Sequence, residues 1–345
     1  MNIAYFLDQN DFSIKNVVEL QDAKIVIDEE TNKNTEISVV KKLDVIKGDI
    51  VCIKENNEIT YLGVISSPIN EKGSNKYTLT AKYITNIFDR SIFLENEQLI
   101  KSTGIEDFIK YTIENEFTKT EDVLLNKSYI EVQVLSHTPI QKSVQTDNGL
   151  YNFHTYMTNV TQLYGITYKF EIEGKILKIK IQKETEKQAI FDTTISDITD
   201  YLEAFEENYT AKVKVKSESG KTHTLYLLNN KTTTTNMNDP NRVLGTTVNS
   251  YVKEDEDLTQ TALDVMAGNR YNHLIQFKIN RFSKIIDTSN LKVGMLFKIK
   301  SKEGIVYDTY ISCITRQINS NFIELKFGNT RIDFIDKLNQ ERKVF

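Results

Sequence analysis

The sequence predicts an α+β, β-dominated chain in which two similar small β-barrel or sandwich modules are separated by a mixed α+β insertion. Three observations predict it. Alternating apolar patterns fill most of the chain, the spacing turns helical in the middle, and a segment near the start lies on one near the end without a gap. The boundaries drawn from these signals are 1–93 for the first β-module, 94–205 for the insertion, 206–332 for the second β-module with a short helix, and 333–345 for a C-terminal tail.

Ile3, Tyr5 and Leu7 alternate with other residues, and Lys24, Ile25, Val26 and Ile27 form a second strand-like run. Residues 48–54, a polar turn at 55–58 and residues 59–65 read as a β-hairpin, and 77–81 continues the meander. Thr103 and Glu106 then have the spacing of a helix capping box, and Ile105, Phe108, Ile109, Ile113 and Phe117 share one helical face, which predicts a helix over 103–117. A second helix is predicted over 152–164 from Phe153, Tyr156, Met157 and Val160, with Gly165 as its stop. Ile166 to Ile172 and Leu177 to Ile181 alternate around Glu173 and Gly174, the pattern of a hairpin.

The pattern then returns to β. Ala211, Val213 and Val215 alternate with lysines, residues 217–220 turn, and Thr222 to Leu228 runs back. Polar residues 231–241 read as a loop, 257–267 as a short helix stopped by Gly268, and 272–279, 293–300, 305–316 and 322–327 as strands. A last helix is predicted from Arg331.

Residues 48–81 fall on 294–327 at a constant offset of 246, pairing Gly48 with Gly294, Ile53 with Ile299, Lys54 with Lys300, Ile59 with Ile305, Tyr61 with Tyr307, Ile65 with Ile311 and Leu79 with Leu325. The strand, turn, strand, connection and strand follow in the same order in both, as two copies of one unit require.

With 39% hydrophobic and 26% charged residues among 345, the chain has the composition of a globular protein able to bury real cores. Its formal net charge of -5 comes from interspersed acids and bases, which builds no field for gathering phosphates, so nucleic acid is not an expected partner. The N-terminus lacks the basic start and long apolar run of a secretory signal, and no segment approaches the ~20 apolar residues of a membrane span. Cys52 and Cys313 sit in apolar alternating stretches and read as buried small hydrophobes.

Catalytic chemistry finds little footing. His137, His154, His223 and His273 stand alone, without a second His or Cys at ligand spacing, and glycine-rich phosphate cradles and nucleophile elbows are missing. Glu203, Glu206 and Glu207 offer the residue types of a glycosidase pair. Among 48 acidic residues such clusters arise by chance, and these read as a solvated turn. Lys212, Lys214 and Lys216, like Lys175, Lys178 and Lys180, have the spacing of a solvent-facing strand edge. No catalytic, cofactor-binding or metal-ligating residues are expected, and no cofactor.

Three stretches carry a resemblance: GDIVCIK…ITYLGVIS…KYTLTAKY, YLEAFEENYTAKVKVKSESGKTHTLYLLNN, and VGMLFKIKSKEGIVYDTYISCITRQINSNFIELKFG. Together with the central helical insertion they resemble the tail hub proteins of phages infecting Gram-positive bacteria, including the N-terminal structural domain of tail-associated lysins and related baseplate hubs. The resemblance implies a structural, non-enzymatic hub at the virion tail tip or baseplate, made in the host cytoplasm. It implies a homotrimer whose paired barrels make a ring of six, and contacts with distal tail, tail tube, tape-measure and receptor-binding or fibre proteins, with no membrane partner in the resting particle. Many tail-associated lysins continue into a wall hydrolase; this chain stops at Phe345, so lytic activity is expected elsewhere. The competing classes are a carbohydrate- or receptor-binding tail module and an uncharacterised cell-wall hydrolase.

Overall fold

The structure is a computed structural model and describes residues 2–70, 77–140, 150–184, 187–194, 196–205, 210–229, 232–252, 257–267, 273–284, 286–288, 291–302, 304 and 306–328. The strands of the first module are β1 (Asn2–Leu7), β2 (Ile14–Glu19), β3 (Asp22–Asp28), β4 (Thr35–Val39), β5 (Ile50–Glu55), β6 (Glu58–Asn70) and β7 (Tyr77–Tyr83). The middle of the chain holds β8 (Ser91–Phe93), α1 (Asn96–Lys101), α2 (Ile105–Ile113), β9 (Ile130–Val134), β10 (Leu150–Asn152), α3 (Phe153–Tyr164), β11 (Ile166–Glu173) and β12 (Ile176–Lys183). Then come β13 (Lys187–Asp192), β14 (Ile198–Phe205), β15 (Thr210–Ser217), β16 (Thr222–Leu227), β17 (Thr233–Thr234), β18 (Thr246–Val252) and α4 (Leu258–Ala267). The last strands are β19 (His273–Asn280), β20 (Leu296–Lys300), β21 (Val306–Gln317) and β22 (Phe322–Phe327).

Both modules belong to one 13-stranded sheet, in the order β14-β19-β22-β21-β3-β4-β7-β6-β5-β1-β2, with β20 and β13 branching from β21. No barrel closes among the described residues, so the modules are two open halves of a shared sheet, each with its own core. β13 and β14 precede residue 206, where the sequence signals place the start of the second module, yet they pair with β20 and β19.

The repeat holds at the level of single hydrogen bonds. Ile53 faces Tyr61 across β5 and β6, and Ile299 faces Tyr307 across β20 and β21. Ladder register slips between Ile65 and Ser67 in one copy and between Ile311 and Cys313 in the other, the same place in both. Gly48 and Gly294 both take a positive φ, +98° and +88°, a conformation costly for any residue with a Cβ. The Gly48 N–H donates to Ile65 O at 2.9 Å, and the Gly294 N–H donates to Ile311 O at 2.9 Å. Ile305, paired with Ile59 in the sequence alignment, lies outside the described residues.

In the first module Phe6, Ile37, Val39, Val51, Ile53, Tyr61, Ile65 and Leu79 point into the core. The opposite face of β5 and β6, with Ile50, Cys52, Leu62 and Val64, is covered by the insertion. Burial on both faces explains why 50–53 is a continuous apolar run instead of an alternating one. Within the insertion β12 pairs antiparallel with β11 and parallel with β9, and α2 and α3 pack on this sheet through Phe108, Ile109, Phe153 and Met157. Asn152 caps α3 by accepting the Thr155 N–H at 3.0 Å, and Gly165 ends it at φ +69°.

The capping box expected at Thr103 and Glu106 does not form. Gly104 is the N-cap, with no side-chain cap bond, and its backbone lies against 137–138 so closely that a Cβ would sit 2.8 Å from the Thr138 nitrogen. Glu106 is instead buried and accepts hydrogen bonds from the Thr138 N–H, Thr138 Oγ1 and Ser136 Oγ, at 2.6, 2.7 and 2.8 Å, pinning that stretch to the helix. The helix predicted to reach residue 117 is α-helical to Ile113 and continues as one wider turn to Thr118.

A separate small unit follows β14. β15 pairs antiparallel with β16 and parallel with β18, and α4 packs on them through Ala262 and Met266 against Val213, Val215 and Leu225. Gly268 and the helix expected from Arg331 lie outside the described residues.

Candidate assembly interface

The residues that sequence reasoning weighed for chemistry are dispersed. His154 Nε2 contacts Glu29 O at 2.9 Å, His273 Nε2 contacts Thr309 Oγ1 at 2.8 Å, and both rings are buried. His137 is exposed, and a hydrogen bond to Asp107 at 2.7 Å raises its pKa. His223 Nε2 is buried without a partner among the described residues. Burial pushes the thiols of Cys52 and Cys313 up, to about 11 and about 12, which leaves them un-ionised and unreactive at neutral pH. Glu203 accepts a hydrogen bond from Tyr201 Oη at 2.7 Å, while Glu206 and Glu207 lie outside the described residues. Among the described residues no three His, Cys, Asp or Glu side chains converge as metal ligands, and no helix is long and apolar enough to cross a membrane.

The lysine rows have ordinary partners. Lys178 and Lys180 pair with Glu173 and Glu171, each at 2.6 Å, Lys212 lies over the Tyr226 ring, and Lys214 and Lys216 face solvent. The edge role that their spacing suggests does not hold: β12 lies between β11 and β9, and β15 between β16 and β18, so these lysines cover the outer faces of interior strands.

The best-built feature is the joint between the two modules. β3 leaves β4 and adds itself antiparallel to the C-terminal half of β21, with Ile25 opposite Arg316, Val26 opposite Thr315 and Ile27 opposite Ile314. Ile27 packs against both cores at once. At one end of the ladder the Ile318 N–H donates to Ala23 O at 3.0 Å, Asn319 Nδ2 donates to Gln21 O at 2.8 Å, and Gln317 hydrogen-bonds Asp22. At the other end the Glu29 N–H donates to Ser312 O at 3.2 Å.

Charge closes the joint from the side. Glu55 holds Arg281 at 2.8 Å and Arg316 at 3.7 Å, so one carboxylate of the first module bridges two guanidiniums of the second. Burial lowers the pKa of Arg316, and Glu55 opposes that shift. Glu29, in the turn after β3, is buried under α3, and desolvation pushes its carboxyl up to about 8. A cavity of about 250 Å³ lies beside the joint, lined by residues of both modules and the insertion, including Ile27, Tyr61, Tyr168, Met295 and Arg316.

Sequence reasoning found the strands of this joint but not their pairing. The apolar run at 24–27 was legible; that its partner lies nearly 300 residues later is a non-local fact that no local pattern records.

No family model matches the chain, and no curated protein matches it by sequence. Solved structures do match over almost the full length. The tail protein from Neisseria meningitidis MC58 is 11% identical with a TM-score of 0.59, covering 97% of this chain and 98% of that one. Prophage tail protein gp18 from Listeria monocytogenes EGD-e is 13% identical with a TM-score of 0.54, covering 99% and 98%. A chain of the phage P2 baseplate in its activated conformation with Ca is 12% identical with a TM-score of 0.50, covering 95% and 98%. The chain has the fold of these tail and baseplate proteins.

Proposed function

We propose that the chain is a structural hub of a phage-type tail tip or baseplate, a ring of three copies that joins the tail tube to the host-recognition apparatus. The observation that carries this reading is the residue-level duplication. One chain presents two copies of one β-module, joined by strand pairing, so three chains present six equivalent modules to a tube of sixfold symmetry. The end-to-end likeness to tail and baseplate chains supports it. In this reading the work is done by interfaces with distal tail, tube, tape-measure and receptor-binding or fibre proteins, and not by catalysis. The protein resides at the tail tip after synthesis in the host cytoplasm.

Gold-labelled antibodies raised against the chain should mark a single spot at the distal end of each tail in particles from cells carrying its gene. Labelling along the shaft, or on no particle, would overturn the assignment. The purified chain should release neither peptide nor sugar from bacterial walls, and dose-dependent release that survives repurification would replace the structural reading with an enzymatic one.

A further inference from the structure

The repeat contains a vacancy. Within the chain, β3 of the first module fills the side of β21 beyond β20, where residues 313–317 meet residues 24–28. The same side of β6 beyond β5, residues 67–70, has no strand against it among the described residues. The counterpart of β3 in the second module is β14. β4 maps on β19 with Ile37 at Phe277 and Val39 at Ile279, and the strand beside β4 is β3 as the strand beside β19 is β14. β14 ends the sheet, and its outer edge is bare among the described residues. One module therefore keeps an empty socket and the other an unused strand, and inside the chain the same two parts are already joined.

We infer that β14 of one copy of the chain pairs antiparallel with the C-terminal half of β6 of a second copy, repeating between chains the joint that β3 and β21 make within one. Carrying the internal register across gives its residues. Lys24 maps on Leu202 through the shared partners Glu36 and Gln276, and Ile314 maps on Pro68 through Leu325 and Leu79. The joint then sets Pro68 opposite Phe205, Ile69 opposite Ala204 and Asn70 opposite Glu203. Glu203 enters it with a buried Oε1 that has no hydrogen-bond partner among the described residues.

Pro68 stands where the internal joint has Ile314. Proline lacks an N–H and within sheets is held to edges, so it costs the new ladder one donor and discourages pairing with wrong strands while the edge waits. The contact is head-to-tail, from second module to first, and repeats either until a ring closes or without limit. Closure at three copies rests on the hub reading; the strand pairing does not.

Cysteine trapping separates the two. Opposed residues of an antiparallel pair have Cα atoms about 4.5–5.5 Å apart, within the span of a disulfide. The two native thiols are buried and un-ionised and stay silent. Under mild oxidation of the concentrated protein, the double variant Ile69→Cys/Ala204→Cys should give covalent dimers that run on to a closed covalent trimer. Each single variant should stay free of the 69–204 bridge in peptide mass spectra. Val26→Cys/Thr315→Cys, the template joint, should close only within one chain. Asn70→Cys/Glu203→Cys provides a second pair should the first disturb folding. A trimer by native mass with neither bridge overturns the joint and leaves the ring standing. A 69–204 ladder growing past three copies keeps the joint and overturns the ring. No bridge and no oligomer overturns both.

Discussion

Val51, Ile37 and Ala81 line the core of the first module where Phe297, Phe277 and Phe327 line that of the second, although the turn bonds and the hairpin register over residues 50–53 and 296–299 are shared; beyond them only the first copy is bulged, with Lys54 opposite Ile59 and Lys300 opposite Val306. The difference follows from what each module recruits as its outermost strands. The first has a hairpin, β1 antiparallel to β5 and then β2, which adds Ala4, Phe6 and Leu20 to the core. The second has the single strand β13, parallel to β20, which adds Phe191. Fewer strands leave more volume, and aromatic rings fill it: Phe191 lies 4.7 Å from Phe297 and 6.0 Å from Phe277 between ring centroids.

The outer faces differ as well. Ile50, Cys52 and Leu62 lie under the insertion, whereas Lys298 and Asp308, at the places of Cys52 and Leu62, pair with each other at 3.9 Å. The duplicated object is therefore a hydrogen-bond pattern, and side chains follow the neighbours each copy has acquired. That explains a chain with near-complete structural matches at 9–13% identity and no match by sequence.

The largest expected effect is on the aromatic core. Phe277→Ala should cost about 3–5 kcal/mol in denaturant unfolding, and Ile37→Ala at the matching place about 2–5 kcal/mol. Equal losses would show that the rings contribute no more than bulk. Next comes Ala81→Phe, which installs the second module's residue in the first. With Phe6 and Leu20 already occupying the core it should overpack and cost about 1–3 kcal/mol, and a neutral result would refute the volume argument.

Gly48→Ala and Gly294→Ala probe what the copies share. Each forces a Cβ into a left-handed backbone, which should cost about 1–2 kcal/mol at both, and Gly294→Ala should cost more because its Cβ meets Thr167 Cγ2 at 2.7 Å whereas that of Gly48→Ala meets the movable end of Gln9. A larger cost at Gly48 would show that Gln9 is held in place and does not move aside.

The smallest effect concerns the shared lysine. Lys54 lies over the Tyr5 ring, whereas Lys300 contacts Asp192 at 3.1 Å. Hydrogen bonds from Thr194, with Lys300 adding to them, hold Asp192 down at about 2. A depressed carboxylate adds stability that is present above its unfolded pKa, near 3.8, and lost as pH falls through about 2. The melting-temperature gap between wild type and Asp192→Asn should accordingly be steady above pH ~4 and vanish towards pH ~2. A gap unchanged across that range would show that Asp192 acts through packing alone.

Alternation made most strands legible, and the echo between 48–81 and 294–327 was visible because both copies keep their glycine, tyrosine and inward aliphatic positions. Ile130, Val132 and Val134 of β9 also alternate, but in a segment too short to stand out beside the helices. β13 and β14 fall inside the 94–205 boundaries drawn from sequence, because local pattern cannot tell which sheet a strand will join, least of all a parallel pairing such as β13 with β20. Glu106 fitted a capping box by spacing. It serves another strand because Gly104 lets residues 136–138 come close enough to use its carboxylate.

The account's central claim, a duplicated chain that closes as three copies, is tested most directly by native mass measurement of the chain co-expressed with the distal tail partner that the proposed function assigns it. Three copies of the chain per complex are predicted. A complex holding one copy, or two related by a twofold axis, would contradict the account.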